Sequence, residues 1–374
     1  MRARGVQFSM NVVDLFTIFS VLFGGCVGSF LNVCIFRIPA EGMTVWRPKG
    51  SFCPRCETPI AAKDNIPVLA WLALRGKCRT CREPIPVRYP LIEFVTAMMF
   101  LGLWLRFGPT TEEAVMTASA WLPVLFWWVV FSLMLVISMI DIDLQIIPDE
   151  LSVTGGALLL LVAPFIPGVP YDLWLVAPVI ETLGTSGEGL LPDARLALQV
   201  PLALALGALA MFLMRRFNHD YEGKVRTWWQ TRWAGAVGIA LGVLVGGWLA
   251  DPRWLAEPFA QKLTASLLGA AVGSGVIYSI GRIGTLAFRK EAMGFGDVKL
   301  MGLLGALVGA KFVLLSIFLA SFLGSVIGLW IRFATRKPEI PFGPFLCAGA
   351  AILIVAESGV HDVIEWYLAL LQPE

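Results

Sequence analysis

Apolar positions in this chain run together in blocks of membrane-crossing length, with short polar segments between them. A helical span needs about 20 predominantly apolar residues, and the bilayer forbids unpaired backbone, so such blocks predict helices. They lie near 13–36, 91–107, 121–140, 151–168, 196–214, 233–250, 263–281, 298–310, 312–331 and 343–358. The eighth is short and pairs with the ninth as a helical hairpin broken at Gly309-Ala310-Lys311. The last apolar stretch, 363–371, reads as an interfacial helix. The expected fold is therefore an all-α polytopic membrane protein with about 8–10 transmembrane helices. The first block is long and lacks an Ala-x-Ala-like cleavage site, so it reads as a retained span. Its Gly24, Gly25, Gly28 and Ser29 form small-xxx-small spacings suited to helix packing.

Composition agrees: 57 % hydrophobic and 15 % charged residues exclude an ordinary soluble chain. The net charge of +2 gives no case for nucleic acid, because the basic residues are distributed as topology signals. Segment 37–90 holds ten Lys/Arg against four acids, which places it in the cytoplasm. With that fixed, three other basic loops also fall inside: 215–232 (Arg215, Arg216, Lys224, Arg226, Arg232), 282–297 (Arg282, Arg289, Lys290) and 332–337 (Arg332, Arg336, Lys337). Segment 169–195, placed outside, carries only Arg195. The same topology puts Asp141 and Asp297 on one side, the cytoplasmic one.

Four of the seven cysteines form two knuckles, Cys53-Pro-Arg-Cys56 and Cys78-Arg-Thr-Cys81. This pattern is that of a four-thiolate structural zinc site. The competing reading, a disulfide pair, needs an oxidising compartment, whereas the loop is assigned to the cytoplasm. Cys26, Cys34 and Cys347 lie in or beside apolar spans and read as small packing residues. His219 reads as a surface residue.

Acids at a membrane boundary are costly unless they face protein or water, which makes them candidates for function. Asp141 ends the apolar run that begins at Trp121. Asp143, Asp149 and Glu150 follow within ten residues. Pro148 suits a helix start, and Asp149 or Glu150 in the first turn suits the positive end of its dipole. Asp143 points elsewhere than Asp141 and is the alternative catalytic residue. The second site is Gly294-Phe295-Gly296-Asp297, with Lys299 beyond it. Glycines at 294 and 296 allow tight backbone approach and unusual dihedrals. Two carboxyl groups sharing one proton provide a base and an acid at once, which is what water attack on a peptide carbonyl requires. Helix capping by each Asp is the plainer reading, but paired acids in a polytopic chain favour an intramembrane aspartyl protease.

In combination these residues resemble the bifunctional type IV prepilin peptidases, which are leader peptidases and N-methyltransferases. The resemblance is carried in order by Gly28-Ser-Phe-Leu-Asn-Val33 and Arg37-Ile-Pro39, then by the cysteine loop with Asp64-Asn-Ile-Pro-Val68, Trp71, Leu74-Arg-Gly76 and Arg88-Tyr-Pro90 to Glu93. It continues with Asp141 and Pro148-Asp149, Gly294–Asp297 with Lys299, and Pro341-Phe-Gly-Pro-Phe345. It covers roughly 15–160 and 265–355. It implies cleavage of prepilin or pseudopilin leaders after a glycine at the cytoplasmic face of the bacterial inner membrane, in type IV pilus or type II secretion systems. It further implies N-methylation of the new terminal residue with S-adenosylmethionine. Asp141 and Asp297 then hold the catalytic positions, and Gly294, Gly296, Lys299, Asp143 and Asp149 support them. Glu93 serves methyl transfer, and Cys53, Cys56, Cys78 and Cys81 bind the metal, although Glu93 could equally cap the second span.

The implied organisation is a first span (1–36), a cytoplasmic four-cysteine zinc domain (37–90), spans with the first catalytic Asp (91–162), and an insertion with about two extra spans (163–262). A core with the second catalytic Asp (263–358) and a tail (359–374) complete it. The rival readings are a peptidase without methyl transfer and, from another class, a transporter or scaffold with a zinc-ribbon loop. A transporter would show internal repeats and broken helices at mid-membrane, whereas no convincing repeat is evident and the key acids lie at boundaries rather than at the midplane.

Overall fold

The computed structural model describes residues 11–40, 42–47, 50–167, 169, 237–245, 258–290, 292–335, 340–356 and 359. The expected span 196–214, the whole basic loop 215–232 with His219, the outer segment 169–195 beyond Val169, and the stretch 363–371 lie outside the described residues. The chain divides into two units, 1–136 and 137–374.

The first unit begins with α1 (Val12–Arg37), started by a capping box. The Asn11 side chain accepts from the Asp14 N–H at 2.8 Å, and the Asp14 carboxylate accepts from the Asn11 N–H at 3.1 Å. Two orphan donors of the first turn are thereby satisfied. A cysteine-bearing segment, with a short α2 (Leu69–Ala73), leads to α3 (Arg88–Phe107). Helix α3 packs along α1 through the small residues. A Cβ at Gly24 would fall 2.7 Å from Phe100 Cβ, and one at Gly28 would fall 2.7 Å from Glu93 Cα. Gly25 instead faces Pro67. Side-chain donors close the rest of the seam: Asn32 Nδ2 donates to the Tyr89 carbonyl at 3.1 Å, and Trp104 Nε1 to Thr17 Oγ1 at 2.8 Å. A short α4 (Glu112–Val115) then leads into α5 (Leu122–Leu144), which enters the second unit at Ile137. Near its start Trp128 stacks on Phe100 with centroids 4.7 Å apart.

The second unit contains the end of α5, then α6 (Asp149–Val162), a helix α7 over 237–245, α8 (Pro258–Phe288), α9 (Phe295–Thr335) and α10 (Gly343–Val355). Helices α8 and α9 approach backbone to backbone: a Cβ at Gly269 would collide with the Gly305 carbonyl, and one at Gly273 with that of Met301. Small residues substitute here for the hydrophobic drive that lipid does not provide. Ser266 Oγ adds a hydrogen bond to the Ala306 carbonyl at 2.7 Å. Ala157, Leu160, Ala240, Leu244, Ala260 and Leu263 form the apolar core joining α6, α7 and α8. Helix α9 is broken at Gly309 (φ 77, ψ 178), a conformation open only to glycine. The break falls where the hydropathy pattern places it.

Five described helical stretches are long and apolar enough to cross a membrane: Val12–Arg37, Arg88–Phe107, Ala118–Leu144, Pro258–Phe288 and Phe295–Ile331. Gly343–Val355 is a shorter apolar helix. The architecture among the described residues is all-helical, as the pattern predicts. Boundaries move where polar residues join helices: α8 runs beyond 263–281 at both ends, and α9 begins three residues before Val298.

Candidate active site

Helix α5 does not stop at the end of its apolar run. It continues to Leu144, which fixes Asp141 on a regular helical turn, and the chain then turns at Gln145 (φ 54). Residues two apart on a helix point about 200° away from each other, so Asp141 and Asp143 diverge. Asp141 is 6 % exposed, whereas Asp143 is on the exposed side. The buried carboxylate has a specific partner, because the Gly343 N–H at the start of α10 donates to Asp141 Oδ2 at 3.1 Å. The two residues also touch closely enough that a Cβ at 343 would fall 2.5 Å from that oxygen.

Asp297 is half-buried in the first turn of α9, its N–H bonded to the Gly294 carbonyl at 3.2 Å. Gly294 and Gly296 do not use the unusual dihedrals that glycine allows: neither has positive φ, Gly294 lying just before the helix and Gly296 in its first turn. Their value is space. A Cβ at Gly296 would meet Ile147 Cβ at 3.1 Å, and the Ile147 side chain also lies 3.4 Å from such an atom on Gly343. Ile147 thus bridges the starts of α9 and α10. A Cβ at Gly294 would meet Asp297 Oδ2 first, at 3.9 Å, which leaves the approach to that carboxylate open. The carboxyl groups of Asp141 and Asp297 are within electrostatic reach of each other. Buried Cys347 on α10 is hydrogen-bonded to Ser138 and senses both acids, so it borders the site rather than merely filling space.

Pro148 is the N-cap of α6, and Asp149 and Glu150 occupy its first turn as expected. Asp149 does more than complement the dipole. Its Oδ1 accepts from Lys299 Nζ, two residues after Asp297, and the two side chains are only 25 % and 19 % exposed. The pair ties the start of α6 to the first turn of α9. Gly343 lies in the Pro341-Phe-Gly-Pro-Phe345 run that carries the resemblance, whereas Ile147 and Cys347 are parts of this site that hydropathy and motif do not single out.

In the first unit, Cys53, Cys56, Cys78 and Cys81 bring their sulfurs within 4.8 Å of one another. All seven cysteines are free thiols. A tetrahedral ion with Zn–S bonds of about 2.3 Å sets its sulfurs about 3.8 Å apart, and Cys53 Sγ and Cys81 Sγ are 3.8 Å apart. The donor set fits zinc. The two knuckles are also copies of each other, offset by 25 positions. In each, the first Cys N–H bonds a carbonyl five residues on (Cys53 to Thr58, 3.0 Å; Cys78 to Glu83, 2.8 Å), and the residue after the second Cys turns left-handed (Glu57, φ 57; Arg82, φ 59). Each ends in an isolated bridge, Phe52 with Pro59 and Lys77 with Pro84. The Thr58 hydroxyl lowers the Cys56 thiol to about 6, and backbone N–H groups lower that of Cys78. Cys81 is pushed up to about 12: backbone bonding at Glu83 pulls it down, and burial with the three neighbouring thiols outweighs that. Four thiolates together therefore call for a cation.

Glu93 is the sixth residue of α3 and does not cap that helix. Its Oε2 accepts from the Val68 N–H at 2.7 Å. Val68 has φ 60 and ψ −50, an outlier for a β-branched residue. Glu93, Asn32 and Trp71 line a cavity of about 560 Å³ enclosed by the cysteine-bearing segment, the end of α1 and the start of α3.

Comparison with known proteins gives two family matches along the chain. Residues 22–107 match the bacterial peptidase A24 N-terminal domain, and residues 197–329 match the type IV leader peptidase family. The chain is 34 % identical over 283 residues to the prepilin leader peptidase/N-methyltransferase of Myxococcus xanthus, covering 76 % of this chain and 70 % of that one. It is 26 % identical over 374 residues to the like-named protein of Stutzerimonas stutzeri, covering 94 % of each. With that of Pseudomonas aeruginosa it shares 26 % over 364 residues, 91 % of this chain and 90 % of the other. No solved structure matches.

Proposed function

We propose, because the chain belongs to the type IV leader peptidase family, that it is a membrane prepilin leader peptidase/N-methyltransferase. It removes the leader from prepilins or pseudopilins and methylates the N-terminal residue that cleavage exposes. The observation that carries the peptidase half is the juxtaposition of two acids at one helix-mouth site, with Asp141 gripped by the Gly343 N–H and within electrostatic reach of Asp297.

Two carboxyl groups in a site partly removed from water share a proton, so one serves as base and the other as acid. An amide N–H can only donate, so Asp141 Oδ2 is held as an acceptor, and we assign the base to Asp141 and the proton to Asp297. Asp141 takes a proton from water as the water oxygen bonds to the scissile carbonyl carbon. Asp297 gives its proton to the carbonyl oxygen. Collapse of the gem-diol adduct returns one hydroxyl proton to Asp297 as the C=O re-forms and the C–N bond breaks, and the leaving amine takes the proton gained by Asp141. Lys299 and Asp149 hold the first turn of α9 in place during these steps.

The four cysteines hold a structural zinc that orders the 37–90 segment. Together with the adjoining ends of α1 and α3, this segment serves methyl transfer, Glu93 included. S-adenosylmethionine, when bound, supplies the methyl group on an electrophilic sulfonium centre. Both reactions lie on the cytoplasmic side of the inner membrane, a reading supported by the positive-inside loops.

The test is purified protein in detergent with a prepilin-like peptide and S-adenosylmethionine, read by mass spectrometry. The expected product is a mature peptide cut after glycine and carrying one added methyl group. An uncut peptide overturns the peptidase reading. Cleavage without methylation overturns the methyltransferase reading.

A further inference from the structure

We infer that the 560 Å³ cavity of the first unit is the binding site of the sulfonium methyl donor, with Glu93 supplying the negative charge that donor requires and Trp71 and Tyr89 the aromatic surface for its base. The inference rests on the methyltransferase reading above and goes beyond it by naming the site.

Size is the first support. Pockets for small ligands are typically about 300–1,000 Å³, largely apolar, with a few convergent polar groups. This cavity has that character. Trp71 keeps its ring in place by donating from Nε1 to the Ile85 carbonyl at 3.0 Å, and its six-membered edge lies against Gly76, where a Cβ would fall 2.9 Å from Cζ2. Gly76 has φ 66, so both space and backbone require glycine there. The ring is positioned as a wall, and it is only half-buried.

Charge is the second. The lining carries both signs, as suits a ligand with a carboxylate, an ammonium and a sulfonium. Asp64 and Arg79 largely neutralise each other through a two-pronged contact at 2.6 and 2.7 Å. Arg37 directs its two terminal nitrogens to the carbonyls of Val45 and Gly50, at 3.0 and 2.8 Å. Glu93 differs. One oxygen is held by the Val68 N–H, and the other has no partner among the described residues. A half-buried carboxylate with one oxygen to spare is a receptor for a cation.

Strain is the third. Val68 is held at positive φ by its bond to Glu93. Such a conformation persists only where the surroundings over-determine it, and it clusters at ligand-binding walls. The neighbouring residues Asn65, Ile66 and Ala70 line the cavity, so the Glu93 bond sets the shape of the wall as well as its charge.

Equilibrium binding of S-adenosylmethionine and of S-adenosylhomocysteine, measured on the full chain in detergent by calorimetry, tests this. Glu93→Gln retains an acceptor for Val68 and removes only charge. It should weaken S-adenosylmethionine by about tenfold, the scale of a charge-assisted contact made neutral. S-adenosylhomocysteine, which lacks the sulfonium charge, should lose much less. Ile66→Trp, a half-exposed lining position whose side chain takes no part in the hydrogen bonds, fills the cavity and should abolish binding of both. Zinc content and melting temperature report folding in each variant. Wild-type protein that methylates peptide while both variants bind donor with unchanged affinity overturns this site assignment alone. Equal weakening of both ligands in Glu93→Gln overturns the charge role given to Glu93. A wild-type chain that neither binds the donor nor methylates overturns the methyltransferase reading itself.

Discussion

The backbone N–H of Gly343 and the carboxylate of Asp141 meet at 3.1 Å across 202 residues of sequence. That contact fixes the orientation of the acid from a second helix, and it tolerates nothing larger than hydrogen at the glycine. Gly343→Ala places a methyl group 2.5 Å from Asp141 Oδ2, well inside contact distance. The acid or the helix start must shift, and a displacement of about 1 Å in a catalytic group can cost on the order of a hundredfold in rate. Cleavage by Gly343→Ala should therefore fall about a hundredfold in kcat, measured by mass spectrometry of the peptide product. Gly102→Ala, which meets nothing within 4 Å, should leave the rate unchanged.

The Lys299–Asp149 pair should show coupled energetics. Removing one partner leaves the other charge mostly out of water, at 19–25 % exposure. Lys299→Met and Asp149→Asn should each cost about 1–2 kcal/mol, between the values for exposed and fully buried pairs. The double variant should cost clearly less than the sum, because no orphan charge remains. Denaturation in detergent measures this, and simple additivity would remove the clamp from the description of the site.

Metal removal should act locally. Protein purified without chelator should carry about one zinc per chain, and Cys56→Ser should lose most of it. Segment 51–85 should then exchange amide protons faster, with α1 and α3 still protected, because their seam rests on Gly24, Gly28, Asn32 and Trp104. Elemental analysis with site-resolved hydrogen exchange checks both parts. Absence of zinc in the wild-type chain contradicts the metal assignment.

How much of this was legible in the sequence depends on the range of each interaction. Among the described residues the positions of the long helices followed from local hydropathy, and the break at Gly309 was visible because a Gly-Ala-Lys interruption divides a run too long for one helix. The separation of Asp141 from Asp143 followed from helical phase alone. The knuckle repeat was also present in plain form, as Cys-x-x-Cys-x-x-Pro-Ile at 53–60 and again at 78–85. The expectation of a chain without a convincing repeat is corrected by it. Gly343–Asp141 and Lys299–Asp149 join residues 202 and 150 positions apart. They leave no local signature, since each partner alone reads as a helix-start glycine, a basic residue or a capping acid. Glycine at 294 and 296 allows either close approach or positive φ, and residue type alone does not say which; the structure uses the close approach at Gly296.

The assignment of hydrolysis to Asp141 and Asp297 is tested most directly by the cleavage rate of Asp141→Asn, Asp297→Asn and Asp143→Asn proteins on one prepilin-like peptide in detergent. An amide neither accepts the water proton nor donates one to the carbonyl oxygen. The first two variants should show no detectable product, while still methylating a pre-cleaved peptide. Asp143→Asn, on the exposed side of the same helix, should cleave within a few-fold of the unaltered protein. Cleavage retained in Asp297→Asn, or retained in Asp141→Asn and lost in Asp143→Asn, would contradict the assignment.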